Sequence, residues 1–351
     1  TLGVSTIMGA IDSVRLLGTN DVYMPITPMF HVHAWGLPYV ATMLGLKQVY
    51  PGRYDPEYLV ELWRREKVTF SHCVPTILQM VLNAKAAQGT DFGGWKIVIG
   101  GSALNRALYE AAKAKGIQLT AAYGMSETGP LVSCAHLNDE LMAGSEDERT
   151  TYRIKAGVPG PLVEAAIIDA EGNFLPADGE AQGELVLRAP WLSEGYFNEP
   201  QKGAELWEGG WLHTGDVATL DSMGVIDIRD RIKDVIKTGG EWISSLDLED
   251  LISRHAAVRE VAVVGIADPQ WGERPFALLV IREGHEIGAR ELKEHLKPFV
   301  ELGHLSKWAI PSQIALVTEI PKTSVGKLDK KRIRVDISEW QASNSTFLST
   351  L

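Results

Sequence analysis

Cysteine is scarce: Cys73 and Cys134 are the only two in 351 residues. Both lie in stretches that read as buried, which argues against a disulfide framework and a Cys-ligated metal site, and makes a reducing cytoplasm the expected setting. No run of 18 or more apolar residues occurs, although 45% of the chain is hydrophobic, so no transmembrane segment is expected. The opening Thr1-Leu2-Gly3-Val4 carries neither an initiator Met nor a basic signal region, and no export signal is read there. Internal repeats and low-complexity tracts are missing. Positive charge is also in deficit, 34 Lys and Arg against 45 Asp and Glu, for a net charge of −11. A nucleic-acid backbone would be repelled, so nucleic acid is not an expected partner, although a local basic patch can still hold a small anion.

What is present is a change of texture along the chain. The length is too great for one typical core, so two domains, or a large one with a small one, are expected. From Lys47 to Ala122 short apolar runs alternate with helical periods: strands at Gln48–Tyr50, Val68–Cys73, Trp95–Ile99 and Ile117–Ala122, and helices after Pro56, after Pro75 and over Leu104–Lys115. This is the βαβ rhythm of a parallel sheet. Asp55-Pro56 supplies a cap followed by a first-turn proline. Asn138–Arg153 is polar with little periodicity and reads as a surface excursion. Beyond it, Lys155 to Asp230 is rich in Gly, Pro and short alternating strands, as in a small antiparallel barrel or sheet. The charged Asp230–Asp234 is the candidate hinge, and the remainder reads as a small α+β domain. The expected fold class is therefore α/β, with segments 1–154 (mostly parallel sheet), 155–232 (β-barrel-like subdomain) and 233–351 (α+β).

Ligands of such sheets bind beyond the carboxyl ends of the strands, which points to two loops. Tyr123-Gly124-Met125-Ser126-Glu127-Thr128-Gly129 combines an aromatic face for a purine, glycines that admit backbone N–H groups to phosphate, and a carboxylate of the kind Mg²⁺ prefers. Taken alone it is equally a turn with a satisfied carboxylate. Gly100-Gly101-Ser102-Ala103 ends a strand and opens a helix, a setting for a polar ligand or simply for tight packing. Trp211-Leu212-His213-Thr214-Gly215-Asp216 puts an acid at the start of a strand, where it could take both ribose hydroxyls or cap a turn. In Ile320-Pro321-Lys322-Thr323-Ser324-Val325-Gly326-Lys327, a lysine in a small-residue loop could bridge a carboxylate and an α-phosphate, or be one more solvated cation.

In their order along the chain the four stretches resemble the adenylate-forming superfamily of acyl-CoA synthetases, peptide-synthetase adenylation domains and luciferases, and the resemblance runs from about Asp21 to Arg334. The branch most resembled is the bacterial medium- and long-chain fatty-acid–CoA ligases with the methylmercaptopropionate–CoA ligases. Its marks are Pro28-Met29-Phe30-His31-Val32-His33-Ala34-Trp35-Gly36-Leu37-Pro38-Tyr39 and Lys47-Gln48-Val49-Tyr50-Pro51-Gly52. The resemblance implies that Tyr123 stacks on adenine with Gly101, Ser102 and Ala103 along its edge. It places Gly124 and Ser126 toward the phosphates, Glu127 on Mg²⁺ and Asp216, assisted by Arg231, on the ribose. Lys327 becomes the adenylation lysine, Lys233 the hinge of a mobile C-terminal lid, and Lys237, Gly239, Gly240, Glu241 and Trp242 the lining of a coenzyme A tunnel. Trp35 resembles an acyl-tunnel gate, with a core aromatic as the alternative, and His31 a histidine beside the substrate carboxylate. ATP, Mg²⁺, CoA and a carboxylic acid are the implied ligands, and relatives often form homodimers.

The family's phosphate-gripping loop should lie upstream of Asp21 and is not found in the first twenty residues. A truncated N-terminal domain is therefore expected, and the chain alone is expected to be nearly inactive as a ligase: charge-assisted contacts of ~1.5–3 kcal/mol each would be missing. Two rivals stay open. One is another adenylating enzyme, an aryl-acid ligase or carrier-protein loader. The other is a non-catalytic nucleotide- or acyl-binding module.

Overall fold

The apolar runs of the first half assemble into a seven-stranded sheet in the order β2-β1-β3-β4-β5-β6-β7. The computed structural model describes residues 17–324 and 326–342, the last five in backbone only. The expectation of a missing upstream loop falls partly on residues 1–16, outside the described residues. The strands are β1 (Val22–Pro25), β2 (Lys47–Gln48), β3 (Phe70–Cys73), β4 (Lys96–Ile99), β5 (Gln118–Tyr123), β6 (Ser133–Cys134) and β7 (Val158–Pro159). The first five pair in parallel and the last two turn antiparallel. Two of the three crossover helices start where the sequence sets a cap, and the third, Pro75–Asn83, starts on a first-turn proline without one. Asp55 accepts from the Tyr58 N–H at 2.9 Å and Asn105 from the Leu108 N–H at 2.8 Å, satisfying donors that a helix start leaves orphaned. The helices Pro56–Glu66, Pro75–Asn83 and Arg106–Ala114 bury Leu59, Leu78, Val81 and Leu108 against Phe92, Trp95 and Ile97. Fully burying such side chains contributes about 1.5–3 kcal/mol each.

Asn138–Arg153 is helical, in two short pieces, Asp139–Ala143 and Glu146–Arg153. Their stability is polar, which is why no apolar stripe marks them. Ser145 and Glu148 form a reciprocal capping box, Arg106 donates to Asp147 at 2.6 Å, and Lys113 pairs with Glu146.

The following segment holds β8 (Glu164–Ile168), β9 (Gly183–Arg188), β10 (Leu212–Leu220) and β11 (Ile226–Arg231). They form an open sheet in the order β11-β10-β9-β8, not the barrel-like closure expected. Four short strands are too few to curl back on themselves.

The last region builds a five-stranded sheet from β12 (Ile236–Thr238), β13 (Glu241–Ile243), β14 (Val258–Asp268), β15 (Gly272–Ile281) and β16 (Gln313–Leu316). It is covered by the helices Ser245–Ser253, Ala289–Glu301 and Lys330–Ala342. The chain divides into compact units 1–228 and 229–351, so segment 1–154 and residues 155–228 share the first unit. The second opens at Arg229, ahead of the expected boundary at Lys233. The reason is local: Ser244 Oγ donates to Arg229 O, and Asp230 Oδ2 accepts from Ser245, tying residues 229 and 230 to the helix that follows.

One buried group has a measurable consequence for stability. His72 on β3 is fully buried, its Nε2 2.7 Å from the Tyr23 hydroxyl, and burial pushes its imidazole down to about 3. An unfolded histidine titrates near 6.5. The folded state therefore excludes a proton that the unfolded state binds. The stabilisation is whole above about pH 6.5 and is lost as pH falls toward 3. At pH 5 the linkage amounts to about 2 kcal/mol. Denaturant unfolding at pH 7 and pH 5, compared with His72→Gln, should show that difference; parallel pH profiles for the two proteins would refute it.

Candidate active site

The two glycine-bearing loops leave adjacent parallel strands at the same edge of the seven-stranded sheet, Gly100–Ala103 after β4 and Gly124–Gly129 after β5. At Gly100 an added Cβ would come within 2.9 Å of Ala122 O and 3.4 Å of the Trp35 ring. Only a glycine lets the two loops and that ring approach so closely. Gly101 follows with φ 79°, and Ser102 and Ala103 are exposed.

Trp35 reaches this place through an uncommon backbone. Val32, His33, Ala34 and Trp35 all have φ between 45° and 57°, and Gly36 continues at 71°. A left-handed turn costs about 1–2 kcal/mol per L-residue, so it must be held from outside. The burial of Trp35, 6% exposed and 5.0 Å from the His72 ring, against Tyr23, Phe70, Val98 and Ala122 supplies that hold. The core-aromatic reading of Trp35 thus describes its place here, next to the loops. His31, half-buried, precedes the turn, and its N–H bonds Pro28 O at 2.9 Å.

Tyr123 ends β5, half-buried, and donates its hydroxyl to Asp216 Oδ2 at 2.6 Å. Asp216 does not start a strand, as its sequence suggested, but lies inside β10, which begins at Leu212. The ladder to β9 slips between His213 and Val217. In that slip Gly215 takes φ 69° and gives its N–H to Glu184 at 2.9 Å, while Thr214 Oγ1 donates to Leu185 O at 2.7 Å. A bulge of this kind re-aims a side chain. Here it places the Asp216 carboxylate, 7% exposed, on the Tyr123 hydroxyl.

Ser126 and Glu127 occupy a short 3-10 turn, Ser126–Thr128, with Ser126 exposed. Glu127 Oε1 accepts from the Tyr196 hydroxyl at 2.6 Å, and its carbonyl accepts from the Ser193 N–H at 2.8 Å. Burial, with the carboxylate beside it, pushes the Tyr196 phenol up to about 12, so it remains a donor at neutral pH. Tyr196 was missed from sequence. The dipeptide Gly195-Tyr196 offers no local sign of a partner in a loop formed near residue 127. Among the described residues no group of three or more His, Cys, Asp or Glu could hold a metal ion. A single carboxylate nevertheless suits Mg²⁺, which keeps most of its ligands as water and substrate phosphates. Cys73 and Cys134 are free, and burial pushes their thiols up to about 12 and about 11, so neither is a nucleophile.

In the second unit Lys237 and Trp242 face each other across the β12–β13 pair, with Nζ 5.5 Å from the ring centroid. The turn between them is Gly239-Gly240, at φ 57° and 89°, and Glu241 accepts from Ser306 Oγ. Arg231 and Lys233 are both exposed. Lys327 sits in a tight loop, closed by the Lys322–Leu328 bridge and by a 2.8 Å bond from Thr323 N–H to Lys327 O.

Residues 3–197 match the family model described as AMP-binding enzyme, and residues 247–327 match the AMP-binding enzyme C-terminal domain. The chain belongs to the AMP-binding enzyme family. The AMP-binding chain is 43% identical to a long-chain-fatty-acid–CoA ligase of Thermus thermophilus over 321 residues, 91% of this chain and 58% of the relative. It is 39% identical over 322 residues to a 3-methylmercaptopropionyl-CoA ligase of Ruegeria lacuscaerulensis, again 91% of this chain and 58% of the relative. It thus spans 58% of the length of these relatives. Among solved structures it resembles the amide bond synthetase McbA from Marinactinospora thermotolerans, with a TM-score of 0.83 and 26% identity, covering 96% of this chain and 65% of that one. No helix among the described residues is long and apolar enough to cross a membrane.

Proposed function

We propose that the whole protein is an ATP-dependent fatty-acid–CoA ligase that joins acid, ATP and CoA into acyl-CoA, AMP and diphosphate through an acyl-adenylate. The reading is carried by the Tyr123–Asp216 pair: a ring ending β5 and a buried carboxylate held on its hydroxyl by the β10 bulge. A nucleoside needs both, a flat face for the base and a bidentate acceptor for the ribose. In this reading Gly101, Ser102 and Ala103 border the base, Gly124 and Ser126 face the phosphates, and Arg231 assists Asp216. His31 and Trp35 attend the acid, an assignment supported by the contact between Trp35 and the Gly100 loop.

Glu127 would hold Mg²⁺, which when bound supplies positive charge at the phosphates. Tyr196 keeps the Glu127 carboxylate pointed. The carboxylate of the acid attacks the α-phosphorus in line and diphosphate leaves. Lys327 neutralises the charge that develops, and the thiol of CoA then displaces AMP from the mixed anhydride. Lys237, Gly239, Gly240, Glu241 and Trp242 would line the CoA path, and Lys233 would be the hinge. A cytoplasmic setting and a homodimer complete the reading. The two free cysteines support a reducing compartment.

The test offers the whole protein short, medium and long fatty acids, methylmercaptopropionate and benzoate, with CoA or an amine as acceptor. Acyl-CoA and AMP from the aliphatic acids are expected. Preference for benzoate or for the amine would replace the fatty-acid assignment, and an absence of ATP–pyrophosphate exchange with every acid would remove the ligase reading.

A further inference from the structure

The second unit contains a chain of buried polar groups that the proposed reaction does not use. Asp230, 2% exposed, accepts from the Arg231 N–H through Oδ1 at 2.8 Å. Its Oδ2 accepts both the N–H and the hydroxyl of Ser245, each at 2.6 Å. Ser245 is fully buried at the start of its helix, and its Oγ is also the acceptor for Lys330 Nζ. Lys330 lies 2.9 Å from Glu249 Oε1, with side-chain exposures of 11% and 13%. Glu249 Oε1 accepts in addition from the Val263 N–H at 2.8 Å. One cation thus sits between two acids, and the Ser245 hydroxyl is the relay that joins it to the second. One helical turn beyond Lys330, Arg334 reaches Asp234 Oδ1 at 2.8 Å.

What makes this more than a core polar cluster is where its ends lie. Asp230 and Asp234 bracket the segment that opens the unit. Lys330 begins the helix Lys330–Ala342 directly after the Lys327 loop. That loop is stiff. Besides its bridge, Asp329 N–H bonds Pro321 O at 2.9 Å and the Asp329 carboxylate caps the helix through the Arg332 N–H at 3.0 Å. Buried hydrogen-bonded networks rigidify the segments they join, and Ser245 with Lys330 forms the bonded route from Asp230 to the helix that follows the loop.

We propose that Lys330 is a positioning residue for Lys327, acting through Ser245 to couple the 230–234 segment to the catalytic loop. The proposal rests on the ligase reading for its activity readout. Ser245→Ala deletes the relay hydroxyl yet leaves the Lys330–Glu249 pair and the Asp230 bond to the Ser245 backbone in place. In the whole protein this variant should lower kcat for ATP–pyrophosphate exchange by roughly tenfold. KM for ATP should hold within about twofold, and thioester formation from preformed acyl-adenylate should be spared. Ser245→Thr, which restores a hydroxyl, should recover most of the loss. Amide hydrogen exchange should rise together at 229–234 and 322–328 in Ser245→Ala.

Faster exchange confined to the helix around residue 245, or unchanged pyrophosphate exchange, overturns the coupling. So does an equal loss in both half-reactions, which marks a merely structural role. Should the unaltered protein show no pyrophosphate exchange, the ligase reading fails by itself, and hydrogen exchange still decides whether the two segments are coupled.

Discussion

Lys327→Ala in the whole protein is expected to cut acyl-adenylate formation by ~10²–10³, the loss typical of removing one preorganised charge stabiliser. The displacement at phosphorus needs no general base in the proposed mechanism, so positioned positive charge is the main catalytic element the protein supplies. The loop geometry strengthens the expectation. Thr323 bonds Lys327 at both ends, its N–H to Lys327 O at 2.8 Å and its Oγ1 from Lys327 N–H at 3.2 Å, and Gly326 at φ 81° closes the turn. These bonds hold the Lys327 backbone in place, leaving its side chain to be ordered when substrate binds. Thioester formation from supplied acyl-adenylate should change by less than about threefold, because charge at the α-phosphorus has already been dispersed. Pyrophosphate exchange measures the first half-reaction and CoA-dependent AMP release the second. Normal exchange in the variant would strip Lys327 of this role.

Much of the scaffold was legible because local chemistry and tertiary structure agree there. The Asp55-Pro56 start, the short runs that become β3, β4 and β5 and the small residues after β4 and β5 each obey a local rule that the packing leaves intact. The unreadable parts are those in which a distant partner decides. The left-handed turn from Val32 to Gly36 contradicts the preference of every L-residue in it, and the burial of Trp35 holds it. Asp216 was placed at a strand start because the bulge breaks the alternation that marks Leu212–Leu220 as one strand. The helices between Asn138 and Arg153 are held by caps and ion pairs, not by an apolar stripe. Tyr196 became visible only when its hydroxyl was found on Glu127.

Gly124→Ala should be strongly damaging to the first unit. From sequence this glycine was read as admitting backbone N–H groups to phosphate or as part of a turn, and the geometry adds a packing requirement that neither reading named. A Cβ at this position would lie 1.7 Å from Pro130 O and 2.7 Å from its carbonyl carbon. Pro130 cannot withdraw cheaply. Its carbonyl is held by Thr128 Oγ1 at 2.8 Å, Thr128 O accepts from the Trp191 indole at 3.0 Å, and Val132 N–H bonds Tyr123 O at 3.0 Å. Trp191 is itself 1% exposed, so the clash runs into core. Overpacking costs typically 1–3 kcal/mol, and more when only backbone can move. A loss of about 3 kcal/mol or more in denaturant unfolding is expected. Because Thr128 and Glu127 share the displaced turn, nucleotide affinity should fall further than instability alone explains, measurable by calorimetry with ATP well below the unfolding transition. A variant within 1 kcal/mol of the parent and with undiminished ATP binding would show that the Gly124–Pro130 contact is soft and that the loop tolerates a side chain where the backbone leaves no room for one.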